Sequence, residues 1–170
     1  MKNLIKIIMV IFLVSLFNVN AFSAGSDGGG SKVKKENKYD FNYKKAKRLI
    51  KKAKKLEKKG KAEKAKENYK EALESLLLTY TDKYNDPDVL NYLGFTSRKT
   101  DDFKNAETYY LMGLKIDPNH NGINEYLGEL YVQTNRMDKA KERLDVLKNC
   151  NCKEYTELKD IIEGKKESKY

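Results

Sequence analysis

The sequence has no tryptophan, one histidine, two cysteines and two prolines in 170 residues. Each scarcity removes a class of chemistry. Catalysis needs convergent nucleophiles, bases or metal ligands. His120 stands alone in a DPNH turn and reads as a solvated turn residue. Two cysteines and one distant histidine do not match zinc-ligand spacing. The one glycine run, residues 28–30, neither follows a strand nor opens a helix, so it is no phosphate loop. Paired carboxylates such as Asp101-Asp102 read as helix caps, with Asp101 expected to cap the helix that follows it. No catalytic residue, no metal and no cofactor is expected.

Apolar runs are also scarce, and the exception is terminal. Residues 7–17 are apolar apart from Ser15, behind Lys2 and Lys6 and ahead of Ala21 and Ser23. That is the pattern of a signal peptide over residues 1–24, cleaved after Ala21 or Ser23. The run is shorter than the ~20 residues of a transmembrane helix; an uncleaved membrane anchor is the competing reading. With no cysteine near the cleavage region, a lipoprotein anchor is excluded. The sequence thus predicts export to the periplasm. Residues 25–40, rich in Gly, Ser and Lys, read as a flexible linker.

Charge is abundant and unevenly placed. Residues 32–70 hold 18 basic and 5 acidic side chains, whereas residues 71–170 hold 15 and 19. A basic head of this kind attracts anionic membrane, cell wall or an acidic protein. The bland alternative is a lysine-rich solvated helix face, since Lys is a good surface helix former.

Periodicity organises the rest. Leu93-Gly94 recurs 34 residues later as Leu127-Gly128, Ala106 as Ala140 and Tyr110 as Leu144, with Gly113 and Pro118 closing the first of the two units. These residues at this period resemble a tetratricopeptide repeat. The resemblance implies an all-α, short right-handed superhelical solenoid of three helix-turn-helix repeats, at about 46–84, 87–120 and 121–152, within a domain over 41–170. The first repeat is degenerate: Gly60 marks its turn, Ala65, Tyr69 and Ala72 fit its second helix, and Lys52 stands where a large apolar residue is usual. Seven extra residues separate it from the next repeat. The stripe Leu73, Leu76, Leu77 and Tyr80 predicts that its second helix simply runs two turns longer. Tyr155, Leu158, Ile161 and Ile162 predict a capping helix at about 153–164, which a repeat array needs to cover its last apolar face.

At 100° per residue, Leu90, Leu93, Gly94 and Ser97 fall on one side of their helix. Asp88, Asn91, Tyr92, Phe95 and Lys99 fall opposite. In tetratricopeptide-repeat proteins the second set lines a concave groove for a peptide or partner helix. The resemblance therefore implies a protein-binding groove of Asn91, Tyr92, Phe95, Arg98 and Lys99, continued in the next repeat by Glu125, Tyr126, Glu129 and Gln133. Arg98 and Lys99 are expected to pair an acidic group. Tyr92 and Tyr126 either form an aromatic ladder or pack on neighbouring repeats. The family's carboxylate clamp is not supported, because Ile50, Asn91, Gly122 and Tyr126 stand at or beside its places. In the first repeat the matching face is an electrostatic patch of Lys47, Lys51, Lys54 and Lys58.

Cys150 and Cys152 form a disulfide, remain free or paired between molecules, or serve a metal or redox role; the resemblance implies a paired-cysteine loop near this place. The resulting expectation is a non-enzymatic, monomeric periplasmic scaffold or adaptor that binds a protein or peptide in envelope assembly or maintenance. The alternative is an electrostatic binder of anionic membrane or cell wall through the lysine-rich first hairpin. Nucleic acid is not expected as a partner.

Overall fold

The computed structural model describes residues 38–80 and 85–167. The expected signal peptide and most of the expected linker lie outside the described residues. Among the described residues seven helices follow one another: α1 Lys38–Glu57, α2 Ala62–Thr79, α3 Pro87–Lys99, α4 Phe103–Ile116, α5 Asn121–Gln133, α6 Met137–Leu147 and α7 Lys153–Ile162. Residues 38–40, assigned to the linker by sequence, already belong to α1. Helices α1/α2, α3/α4 and α5/α6 pair as hairpins, and α7 packs on α5 and α6. The architecture is an all-α repeat solenoid, with a closing helix after three hairpins. No helix among the described residues is long and apolar enough to cross a membrane.

One local device shapes every hairpin. Gly60, Asp101 and Asn135 each take a positive φ, of 69°, 67° and 57°. Each reverses the chain at a helix C-terminus, where a left-handed residue returns backbone amides to orphan carbonyls. The next amide then bonds back five residues: Lys61 to Leu56, Asp102 to Ser97 and Arg136 to Tyr131, at 3.0, 2.9 and 2.7 Å. Asp101 is therefore not the cap of α4. That role falls to Asp102, whose carboxylate accepts from the Asn105 amide at 3.2 Å, because a residue held left-handed is already committed to ending α3. Asp86 caps α3 ahead of Pro87, accepting from the Asp88 amide.

The core follows the repeat. Leu90, Leu93, Ala106, Tyr110, Ile123, Leu127, Leu130 and Ala140 are buried. Gly94 lies against the Tyr110 ring of its own hairpin, whereas Gly128 lies against Leu158 of α7. In α1 the buried face is Ala46, Ile50 and Ala53, with Leu49 and Leu56 only partly covered. α2 runs through Leu76 to Thr79 as one helix. Leu77 nevertheless points outward, because Ser75, Leu76 and Thr79 take the inner face. Met137 is likewise exposed at the first turn of α6.

Candidate binding groove

The first helices of the hairpins, α1, α3 and α5, together with α7, line one groove of about 810 Å³. Polar side chains dominate it. Lys54, Glu57 and Lys58 come from α1, Asp88 and Asn91 from α3, and Glu125, Tyr126 and Glu129 from α5. Beyond α5, the wall consists of Lys153, Glu154, Glu157 and Ile161 of α7 and of Lys166.

Several residues expected to meet a ligand are closed off. Phe95 is 1% exposed, its ring 5.7 Å from that of Tyr69 and 5.3 Å from that of Tyr126, centroid to centroid. The Lys54 ammonium lies over it at 4.5 Å. It is a core residue, because α3 is covered on several sides at once. Arg98 is buried too: it donates to Glu129 Oε2 at 3.0 Å and to the Tyr126 carbonyl at 3.3 Å. Lys99 is ion-paired with Glu57 and sits over the Tyr69 ring. Neither cation faces the groove with charge to spare, because each neutralises a carboxylate that the fold has buried or half-buried.

The remaining expected residues divide. Asn91, Tyr126 and Glu129 line the groove. Asn91 keeps its side-chain oxygen buried with no hydrogen-bond partner. Tyr92 instead packs edge-on against Tyr43 at 5.9 Å. Gln133, half-buried, lies outside the groove lining and also has an unpartnered buried oxygen. The lysine patch splits in two. Lys54 and Lys58 turn into the groove, whereas exposed Lys47 and Lys51 do not line it. Lys47 lies over the Tyr43 ring. Burial lowers the Lys54 pKa against the pull of Glu125 and Glu57. Cys150 and Cys152 are disulfide-bonded at the turn into α7, their Cα atoms 5.1 Å apart.

Two groups of groove residues escape a reading by repeat alone. His120 is no mere solvated turn residue. Its Nδ1 accepts from the Ile123 amide at 3.1 Å, capping α5, and its Nε2 lies 3.1 Å from Asp88 Oδ1. With Nδ1 accepting, the neutral ring carries its proton on Nε2 and donates to Asp88. The other group is Glu154, Glu157 and Ile161, whose helical spacing in α7 was the available signal. α7 serves as a fourth first-helix in the groove wall as well as a cap.

No family model matches the chain. No curated protein matches it. Among solved structures it is similar to the first TPR of Spaghetti (RPAP3) bound to the HSP90 peptide SRMEEVD, at 21% identity and a TM-score of 0.45 over 72% of this chain and 96% of that one. The Arabidopsis OM64 TPR domain gives 14% and 0.46 over 74% and 99%. The Yersinia enterocolitica type III secretion chaperone SycD, in complex with a peptide of the translocator YopD, gives 20% and 0.45 over 69% and 86%.

Electrostatically the groove has one exceptional member. Burial, then repulsion from Glu129 and Glu154, pushes the Glu125 carboxyl up to about 7. Lys153 and Arg98 oppose that rise without cancelling it. The groove therefore contains a carboxyl group balanced between its two protonation states near neutral pH.

Proposed function

We propose that the protein is a non-enzymatic, exported scaffold that holds an extended segment of a partner protein in this groove, in the periplasm, in envelope assembly or maintenance. The carrying observation is the groove itself, of about 810 Å³, with a buried side-chain oxygen of Asn91 in its wall that no neighbour uses. Buried polar groups in folded proteins are nearly always satisfied, and an extended peptide backbone offers both donors and acceptors. Export rests on residues 1–24 and is tested separately, by sequencing the N-terminus of protein released by osmotic shock. Recovery only from the cytoplasm, with residues 1–24 intact, overturns it.

The competing reading uses Lys47 and Lys51, which stay exposed outside the groove. Photocrosslinking in intact cells separates the two. A crosslinker replacing Glu154 or Lys153 should yield one discrete protein adduct, and one replacing Lys47 or Lys51 should not. Replacing Lys47, Lys51 and Lys58 by Gln should slow association and flatten its salt dependence while leaving capture intact, because rim charges act mainly on encounter. Adducts confined to Lys47 and Lys51, with capture abolished in the triple variant, transfer the reading to an anionic surface.

A further inference from the structure

We infer that the groove selects a basic side chain, lysine or arginine, in the segment it holds, and that Glu125 is the carboxylate that receives it. This rests on the groove reading above and adds the chemistry of the ligand. Of the six carboxylates in the groove wall, four are already engaged: Glu57 by Lys99, Glu129 by Arg98, Glu157 by Lys166 and Asp88 by His120. A fifth, Glu154, lies 3.9 Å from Lys153. Glu125 alone has no hydrogen bond or ion pair to any other residue among those described, and it is only 9% exposed. A carboxyl on a largely buried residue, opening onto the groove with no side-chain or backbone partner, is suited to receive a donor.

The neighbours favour a cation over an anion as occupant. The charged groups facing Glu125 are Lys54 from α1, Arg98 from α3, Glu129 on its own helix, and Lys153 and Glu154 from α7. Arg98 is spent on Glu129. Lys54 is held over the Phe95 ring and makes no ion pair with Glu125. Lys153 in turn lies 3.9 Å from Glu154, so each cation near Glu125 already has another contact, and an incoming ammonium or guanidinium would supply the partner that Glu125 itself lacks. Asn91 stands at the equivalent position of α3 and offers an unpartnered neutral acceptor in the same groove.

Capture of a cation requires the ionised carboxylate. With the Glu125 carboxyl at about 7 in the free protein, binding must expel a proton from most molecules at pH 6 and from few at pH 8, and affinity should be about tenfold higher at pH 8 than at pH 6. An acidic segment held on Lys58 and Lys153 would show no such dependence on Glu125.

The test uses the full chain and a set of N-acetylated, C-amidated heptapeptides, in which each position in turn carries Lys, Arg, norleucine or Asp in an otherwise fixed Ala/Asn background. Affinity is read by fluorescence anisotropy at pH 6 and pH 8. Expected is a preference for Lys or Arg over norleucine at one position, about tenfold at pH 8 and nearly absent at pH 6. Glu125→Gln should abolish the preference, so that Lys, Arg and norleucine peptides bind that variant with equal affinity at both pH values. A Lys peptide should also lower the Glu125 pKa followed by carboxyl carbon NMR, which a purely structural carboxyl would not do. Peptides that bind without preferring a cation, prefer Asp, or prefer Lys equally at both pH values overturn this inference and leave the groove reading standing. Failure of every peptide to bind overturns both.

Discussion

α3 and α5 hold the same place in successive hairpins, yet they present different chemistry to one groove. Asn91 and Glu125, at one equivalent position, both face it. Phe95 and Glu129, at the next, are both buried, at 1% and 3% exposure. Place in the repeat therefore decides burial, and residue type then decides what partner burial demands. For Phe95 the demand is met by the rings of Tyr69 and Tyr126. Glu129 needs a cation, and Arg98 supplies it from the neighbouring hairpin.

The strongest test of that comparison removes the cation. Arg98→Met leaves Glu129 charged and buried, which should destabilise by about 3–5 kcal/mol. Adding Glu129→Leu should restore most of the loss, since a buried ion pair is often replaceable by apolar side chains of similar size. Urea unfolding of both variants checks this. A double variant no more stable than the single one would mean that Arg98 acts through the Tyr126 carbonyl, not through Glu129.

Glu125 permits a test through pH. Its folded pKa of about 7 lies above the ordinary 4.5, so folding favours the protonated form. The corresponding stability is fully present below 4.5 and is lost as pH rises through about 7. The loss should be on the order of 3 kcal/mol. Glu125→Gln should flatten that part of the profile and exceed the wild type in stability at pH 8. Parallel profiles for the two proteins would assign the pH dependence to another group.

Much of the fold was legible because its signals are local. Asn85-Asp86-Pro87 announces the start of α3, and the 34-residue period alone places Leu127, Gly128 and Ala140 in register with Leu93, Gly94 and Ala106. The groove was less legible. A helical wheel divides a helix into one inner and one outer face, which suits a helix with a single neighbour. α3 instead packs against α2, α4 and α5, and eight of its residues, Phe95 and Arg98 among them, are buried. Charge pairing was harder still, since Lys99 with Glu57 and Arg98 with Glu129 join residues on different hairpins. Glu125 fell on the expected face, but its lack of a partner is a three-dimensional fact.

The smallest expected effect concerns the two glycines that define the period. A methyl at Gly94 would overlap the Tyr110 ring, and one at Gly128 would overlap the Leu158 side-chain tip. Tyr110 is fully buried at the centre of the array, so its ring has nowhere to swing. Leu158 is equally buried, but its branched aliphatic end can change rotamer, and it sits on α7, which has no further hairpin beyond it among the described residues. Both substitutions gain about 1 kcal/mol of helix propensity over Gly, against an overpacking cost of about 1–3 kcal/mol. Gly94→Ala should therefore lose about 1–2 kcal/mol net, and Gly128→Ala should stay within about 0.5 kcal/mol of the wild type. Thermal melts of the two variants at one pH measure the difference. Equal losses would mean that α7 is held as rigidly as the middle hairpin, and that the close approach at Gly128 is as unyielding as the one at Gly94.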